Sequence, residues 1–382
     1  MSHPTDLREN TKWGHAIGIA IAASVAVAII LLAFLWPAIT STLKDFPLAV
    51  TGDADHVAAL TTALEQNASG RFAITEVKDR AAAVDAIEKR NAYGAVVLGS
   101  EPEVLTASAG GAAQTQVMGQ LGGQVQQQVS AAAGKAIQGD VAKAIAAAQS
   151  GAIPQEQLVQ ALQQALTASP PTVKTTDVVP LASTDATGVG FMAAGFPAVI
   201  GGVLGGVLIS LIVVGAWRRF AAVIAFSIIA GVGVAAITQA WLGILQGSFV
   251  LNVAAISLSL LATGSFITGM SALLGRAGTG IGAVLTILVA NPISSAVQPM
   301  QFLPWAWGAI GQYFVPGATT TLQRDISYFP QADQMFPWLV LGAWALVGLV
   351  LGFVGHNRNR NISAGDRILE ERSTDISAAV AQ

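Results

Sequence analysis

Long stretches without a single charge constrain this chain more than any other feature. Residues 13–43, 186–217, 220–275, 277–323 and 334–357 contain no Asp, Glu, Lys or Arg, and together they make up about half of the 382 residues. An uncharged, mostly apolar run of about 18 residues or more is the signature of a membrane-crossing helix. Hydrocarbon offers no partner to a free backbone N–H or C=O, so such runs must close their hydrogen bonds internally. Only 11% of the residues are charged, against about 25% in an ordinary soluble domain. A soluble enzyme is thereby excluded. The net charge of −3 leaves no basic footprint for nucleic acid. With no Cys there is no disulfide, thiolate nucleophile or Cys metal site.

A helix needs roughly 20 residues to cross about 30 Å of hydrocarbon. On that measure the runs predict six spans, near 16–36, 189–214, 221–245, 253–274, 281–297 and 338–354. The break at Gln246-Gly247-Ser248 divides the longest run. Basic residues in short loops set the orientation. With both termini cytoplasmic, Arg8, Lys12, Arg218, Arg219, Arg276, Arg358, Arg360, Arg367 and Arg372 lie inside, and Arg324 alone lies in a short outer loop. Residues 41–187 then lie outside a plasma membrane, and their own basic residues do not count, because long domains translocate largely regardless of charge. The first run exceeds the 7–15 residues, roughly, of a signal-peptide core and lacks a clear A-x-A site, so it reads as a retained anchor.

Within 41–187 short strands alternate with helices. Residues 46–50, 72–77 and 93–98 read as strands, 104–107 and 173–181 as two more, and 57–64 and 81–88 as helices. Asp53 or Asp55 is placed to cap the first helix. That alternation predicts a small α/β unit with a parallel or mixed sheet. From 112 to 166 the chain is Ala- and Gln-rich. Val117, Leu121, Val125, Val129, Ile137, Val141 and Ile145 recur at four-residue spacing, predicting a long helix broken near Gly139 or Gly151 and a second helix from Pro154. This part reads as a hairpin packed on the α/β unit, or as a stalk for self-association.

Catalytic motifs are missing. Gly134-Lys135 is followed by Ala136, so there is no Walker A loop, and no H-E-x-x-H or G-x-S-x-G occurs. The scattered histidines predict no metal site; His56 beside Asp53 and Asp55 fits a helix start better than a ligand set. No cofactor is expected. The predicted spans carry no ionisable residue, which argues against a proton-coupled antiporter, since a relay needs titratable groups at depth.

Gly201, Gly202, Gly205 and Gly206 form two interleaved G-x-x-x-G pairs in the second span. Small residues let helix backbones approach closely, either in a dimer or within one chain. Asn291 and Gln298 stand near the end of the predicted fifth span and mark interhelical hydrogen bonds or a substrate path. The stretch that follows holds Leu303-Pro304-Trp305, Trp307-Gly308 and Val315-Pro316-Gly317-Ala318. Apolar sequence so broken by Pro cannot cross as one helix. A re-entrant element over 303–318 is predicted, with Trp305, Trp307 and Tyr313 near the outer interface; the alternative is a short amphipathic helix lying on the surface.

The layout of one span, a large outer insertion and five spans resembles the ABC-2 type exporter permeases, in particular the YhgE/Pip-like branch. So does the run Asn291-Pro292, Leu303-Pro304-Trp305, Pro316-Gly317-Ala318, Arg324 and Phe329, which is similar to that family's broken outer helix. The layout covers nearly the whole chain, and the motif run covers about 40 residues. The resemblance implies a homodimer or paired permease working with a separate cytoplasmic ATP-binding-cassette ATPase to export a hydrophobic or amphipathic substrate. In that setting Asn291 and Gln298 line the path, and Pro304, Trp305 and Pro316 form the outer gate. Gly201, Gly205 and Gly206 form the helix interface. Arg218, Arg219 and Arg276 are the residues placed for ATPase contact, although the positive-inside rule alone also explains them.

The expectation is a polytopic α-helical membrane protein with six transmembrane helices and an inserted extracytoplasmic α/β plus helical domain. Its parts are a cytoplasmic tail at 1–14, a first span at 15–38, the outer domain at 41–187, a five-helix domain at 188–355 and a tail at 356–382. The alternative is a non-transporting scaffold or secretion-accessory protein acting through the outer domain, a reading that the short loop at Trp217–Phe220 favours.

Overall fold

The computed structural model describes residues 12–296 and 298–380, with the backbone path alone over 359–380. Most of the predicted tail at 1–14, Val297, and the side chains of Arg360, Arg367 and Arg372 lie outside the described residues.

The chain opens with helix α1 (Trp13–Ile39) and enters an α/β domain. Strand β1 (Phe46–Thr51), helix α2 (Ala54–Asn67), β2 (Phe72–Glu76), α3 (Arg80–Glu88), β3 (Gly94–Val97) and β4 (Glu103–Thr106) follow in order. Two helices come next, α4 (Ala112–Gln149) and α5 (Gln155–Thr167), and then the return strand β5 (Lys174–Asp177). The sheet order is β2-β1-β3-β4-β5. It is mixed: β1 runs parallel to β2 and β3, β4 runs antiparallel to β3, and β5 runs parallel to β4.

Strand alternation builds the core on both faces. Phe46, Leu48 and Val50 turn one way, onto Val57, Leu60 and Leu64 of α2 and Met118, Leu121 and Val125 of α4. Ala49 turns the other way with Ala95 and Leu105, onto Ala83 and Ile87 of α3. Asp53 stands at the start of α2 without a side-chain capping bond, whereas Asp79 accepts from the Ala82 N–H and caps α3. Glu103 on β4 receives Arg80 at 2.6 Å and also the Thr176 hydroxyl. The hydrogen bond from Arg80 is the main force holding the Glu103 carboxyl below its usual range.

Helix α4 is unbroken through Gly139, contrary to one of the two predicted break points. The chain reverses at Gly151, whose φ is +75°, a conformation glycine adopts without a Cβ penalty. Only the first half of α4 packs on the sheet, with buried Gln114, Met118, Leu121 and Val125; the remainder pairs with α5, which buries no residue. The four-residue stripe explains this, because it drifts around a helix of 3.6 residues per turn and leaves the core after Val129.

The helical domain comprises α6 (Val189–Ile212), α7 (Ala216–Ala235), α8 (Phe249–Leu274), α9 (Arg276–Val284), α10 (Trp307–Gly311), α11 (Val315–Tyr328) and α12 (Met335–Val380). Helix α8 is central and touches α6, α7, α9, α11 and α12. Helix α7 continues as π-helix over Ala236–Trp241, and α9 over Leu285–Ala290. Among the described residues, five helices are long and apolar enough to cross a membrane: Trp13–Pro37, Val189–Ile212, Ala216–Trp241, Phe249–Leu274 and Met335–Arg358.

The predicted fifth of six spans, 281–297, takes a different form. Its helix is confined to Arg276–Ala290. At about 1.5 Å per residue this reaches roughly 22 Å, short of an average bilayer core. Asn291-Pro292 ends it, because Pro has no N–H and disfavours helix at the preceding residue.

Candidate functional site

After Ala290 the backbone turns sharply, and this irregular segment forms the walls of two cavities. The first encloses about 280 Å³ among Phe34 and Pro37 of α1, Phe191 and Val199 of α6, Asn291, Ser294, Ser295 and Gln298 of the turn, and Thr320 and Gln323 of α11. It is amphipathic: rings and aliphatic groups on the α1 and α6 side face amides and hydroxyls on the other. The Gln298 carbonyl oxygen accepts from the Ser41 hydroxyl at 2.9 Å, tying the turn to the end of α1. The Ser294 hydroxyl donates to the Asn291 carbonyl at 2.7 Å and closes the bend.

The second cavity, about 430 Å³, lies at the joint between the two domains. Lys89, Arg90 and Tyr93 line it from the α/β side, and Gln312, Thr321, Arg324 and Asp325 from the helical side; Ser295 borders both cavities.

Packing at this joint begins with a cap. Asp185 accepts from the N–H groups of Gly190 and Phe191 at 2.9 and 2.8 Å, satisfying two free donors at the start of α6. The cap holds the Phe191 ring under the Arg324 guanidinium, 5.1 Å from the ring centroid, and edge-on to Tyr328. The Tyr328 hydroxyl donates to the Ile244 carbonyl at 2.6 Å. Phe329 then leaves the helical domain and joins the core on the α3 face of the sheet, in one cluster with Ala49 and Leu105. Arg90, at the end of α3, lies over the Phe329 ring and binds Asp325 at 2.6 Å. Burial is the main reason the Arg324 guanidinium falls to about 10, with the charge of Arg90 acting in the same direction. It therefore stays charged at neutral pH.

The sequence-predicted residues fall in several places. Asn291 and Gln298 share the first cavity. Pro304 and Trp305 border neither cavity; Trp305 is 79% exposed and stacks edge-on against Trp307. Pro316 is buried in the first turn of α11, against a small void beside Phe314 and Trp344. Pro304 and Trp305 thus share no cavity lining with Pro316 among the three spaces described. Gly202 and Gly206 face α8, Gly205 faces the Phe226 ring of α7, and Gly201 faces open space. The glycine contacts seen are within the chain. Arg218 and Arg276 are exposed in the first turns of α7 and α9, and Arg219 donates to the Val213 carbonyl at 2.6 Å. No cluster of metal-ligating side chains occurs among the described residues.

Sequence reasoning missed Arg90, Asp185 and Phe191. One signal was present: Arg324-Asp325 is an isolated charged pair directly after a long uncharged run.

No protein-family model matches the chain, and no curated protein or solved structure matches it either. The likeness to exporter permeases therefore rests on the layout and the Pro-rich run alone.

Proposed function

We propose that this chain is the permease subunit of an ABC-2 type exporter, moving a hydrophobic or amphipathic molecule outward through a bacterial plasma membrane with energy from a separate ATPase. The observation that supports this reading most is the amphipathic cavity beside the break after Ala290. Irregular backbone at membrane depth is tolerated where protein shields it or where it lines a cavity. Here it presents Asn291 and Gln298 opposite Phe34 and Phe191. A molecule with an apolar body and a polar end meets a partner for each part. The short helix Arg276–Ala290 ends at this cavity and makes one wall movable without unfolding a full span.

The test is transport by the full chain and its co-purified ATPase in proteoliposomes, with a fluorescent short-chain phospholipid as the probe. ATP-dependent movement is expected, and Asn291→Ala with Gln298→Ala is expected to slow it roughly tenfold, two lost hydrogen bonds being worth about 1–3 kcal/mol together. Failure of any ATPase to co-purify, or an unchanged rate in the double variant, contradicts the proposal.

One observation favours the scaffold reading. Helices α6 and α7 are joined by Val213–Gly215 alone, leaving little surface at that end for an ATPase. On that reading the α/β domain with α1 suffices for activity.

A further inference from the structure

Among the described residues, the joint cavity has one guanidinium with no direct ion-pair partner. Arg90 is matched by Asp325 at 2.6 Å, and Lys89 by Asp85 at 2.8 Å. Asp333, also in the wall, accepts the Met335 N–H at 2.9 Å as a helix cap. Arg324 is different. It is 6% exposed, yet among the described residues it takes part in no ion pair and donates no hydrogen bond, and its Nε is buried without a partner. The Phe191 ring under it offers only its π-face. A buried guanidinium with unmet donors is costly, and native structures keep such a group where an ion, water or ligand completes it. The Ser295 hydroxyl, on the wall shared by the two cavities, is likewise buried and unpartnered.

We infer that Arg324 and Ser295 form a binding site for a singly charged oxyanion of the phosphate-ester type, borne by the molecule whose apolar part occupies the neighbouring cavity. The planar fork of Arg matches two phosphate oxygens at once, and the Ser hydroxyl supplies a third donor. Because Ser295 borders both spaces, one ligand spans them, with its headgroup at the domain joint and its chains against Phe34 and Phe191. The inference deepens the permease reading by naming the charge of the substrate, and rests on it for what the ligand is.

The experiment is equilibrium binding to the full chain in detergent, without ATPase or ATP. The probes are dihexanoyl phosphatidylglycerol, dihexanoylglycerol, which lacks the phosphate, and inorganic phosphate. Phosphatidylglycerol is expected to bind at least tenfold more tightly than dihexanoylglycerol. Arg324→Gln is expected to weaken it roughly tenfold or more, and Arg324→Lys to restore part of the loss. Ser295→Gly is the variant that keeps the fold, because Ser295 has φ +58°, which glycine adopts more easily. It is expected to weaken binding roughly threefold. Weak binding of inorganic phosphate identifies a lipid headgroup as the source, whereas equal binding identifies a free anion; both support the oxyanion site. Equal affinity for the two lipids with no phosphate binding, or an unchanged affinity in both Arg324→Gln and Ser295→Gly, overturns it. Selective binding without ATP-driven movement leaves the site standing and removes the permease reading. Movement without selective binding does the reverse.

Discussion

Replacing Asp325 by Ala is expected to destabilise the protein more than replacing Arg90 by Ala, although the two form one ion pair. Asp325 is 3% exposed and Arg90 18% exposed, at 2.6 Å. Removing one member of a buried pair strands the other and costs about 3–5 kcal/mol. The losses are unequal because of Arg324. In the Arg90→Ala variant, Asp325 retains a cationic neighbour one residue earlier on α11, while the packing of Arg90 on Phe329 disappears. In the Asp325→Ala variant, two guanidinium groups face each other with no carboxylate between them. Their mutual effect is already visible in Arg324, whose affinity for its proton the charge of Arg90 lowers. Thermal unfolding in detergent, followed by protease sensitivity of the 178–188 connection, measures both. The expected order is wild type, then Arg90→Ala, then Asp325→Ala. The double variant is expected to recover part of the Asp325→Ala loss, since the stranded charge is gone. Equal stabilities would show that the joint does not hold the two domains together.

Gly311→Ala is expected to disrupt the segment between the two cavities. A Cβ at this position would lie 1.7 Å from the Ile293 carbonyl oxygen and 2.6 Å from its carbon. Both are backbone atoms, so no side-chain rotation relieves the clash. Ile293 follows directly on Asn291-Pro292, so the strain reaches the cavity wall. Overpacking ordinarily costs about 1–3 kcal/mol, and a clash with backbone belongs at or above the top of that range. Gly119→Ala is the control: it lies on the exposed face of α4 with nothing within 4 Å, and is expected to stabilise the helix by up to about 1 kcal/mol. Unfolding temperatures of the two variants in one detergent check the contrast. An unperturbed Gly311→Ala would mean that the α10 turn does not pack against Ile293.

These two predictions show what was legible in the sequence. The long apolar helices were legible because each needs one continuous uncharged run, and a run is a local property. Strand alternation made the sheet legible for the same reason, though its mixed direction was left open and required the structure. The predicted fifth span was misjudged in length because apolar character continues past Ala290, while the hydrogen-bond ladder stops at Asn291-Pro292. Asn291 and Gln298 were singled out because amides are rare in apolar runs, and both border one cavity. Trp305 was placed at a gate through the resemblance; its backbone takes φ +51° and its side chain is exposed. The joint was illegible. Lys89-Arg90 at a helix end has the pattern of a solvated charge pair, and the partner of Arg90 lies 235 positions away. No local pattern encodes a contact of that range. Gly311 was equally silent, since one glycine among 40 carries no sign of the carbonyl it packs against.

The central claim is that this chain crosses a bilayer with residues 41–187 on the outer side. The chain has no Cys, so a single introduced thiol reports its own location. Glu101 is exposed in the α/β domain, and Arg358 is exposed at the far end of the last span. With Glu101→Cys, a membrane-impermeant maleimide is predicted to label intact cells fully. With Arg358→Cys, labelling is predicted only after the membrane is permeabilised. Protection of the thiol at 101 in intact cells, or ready labelling at 358, would contradict the account.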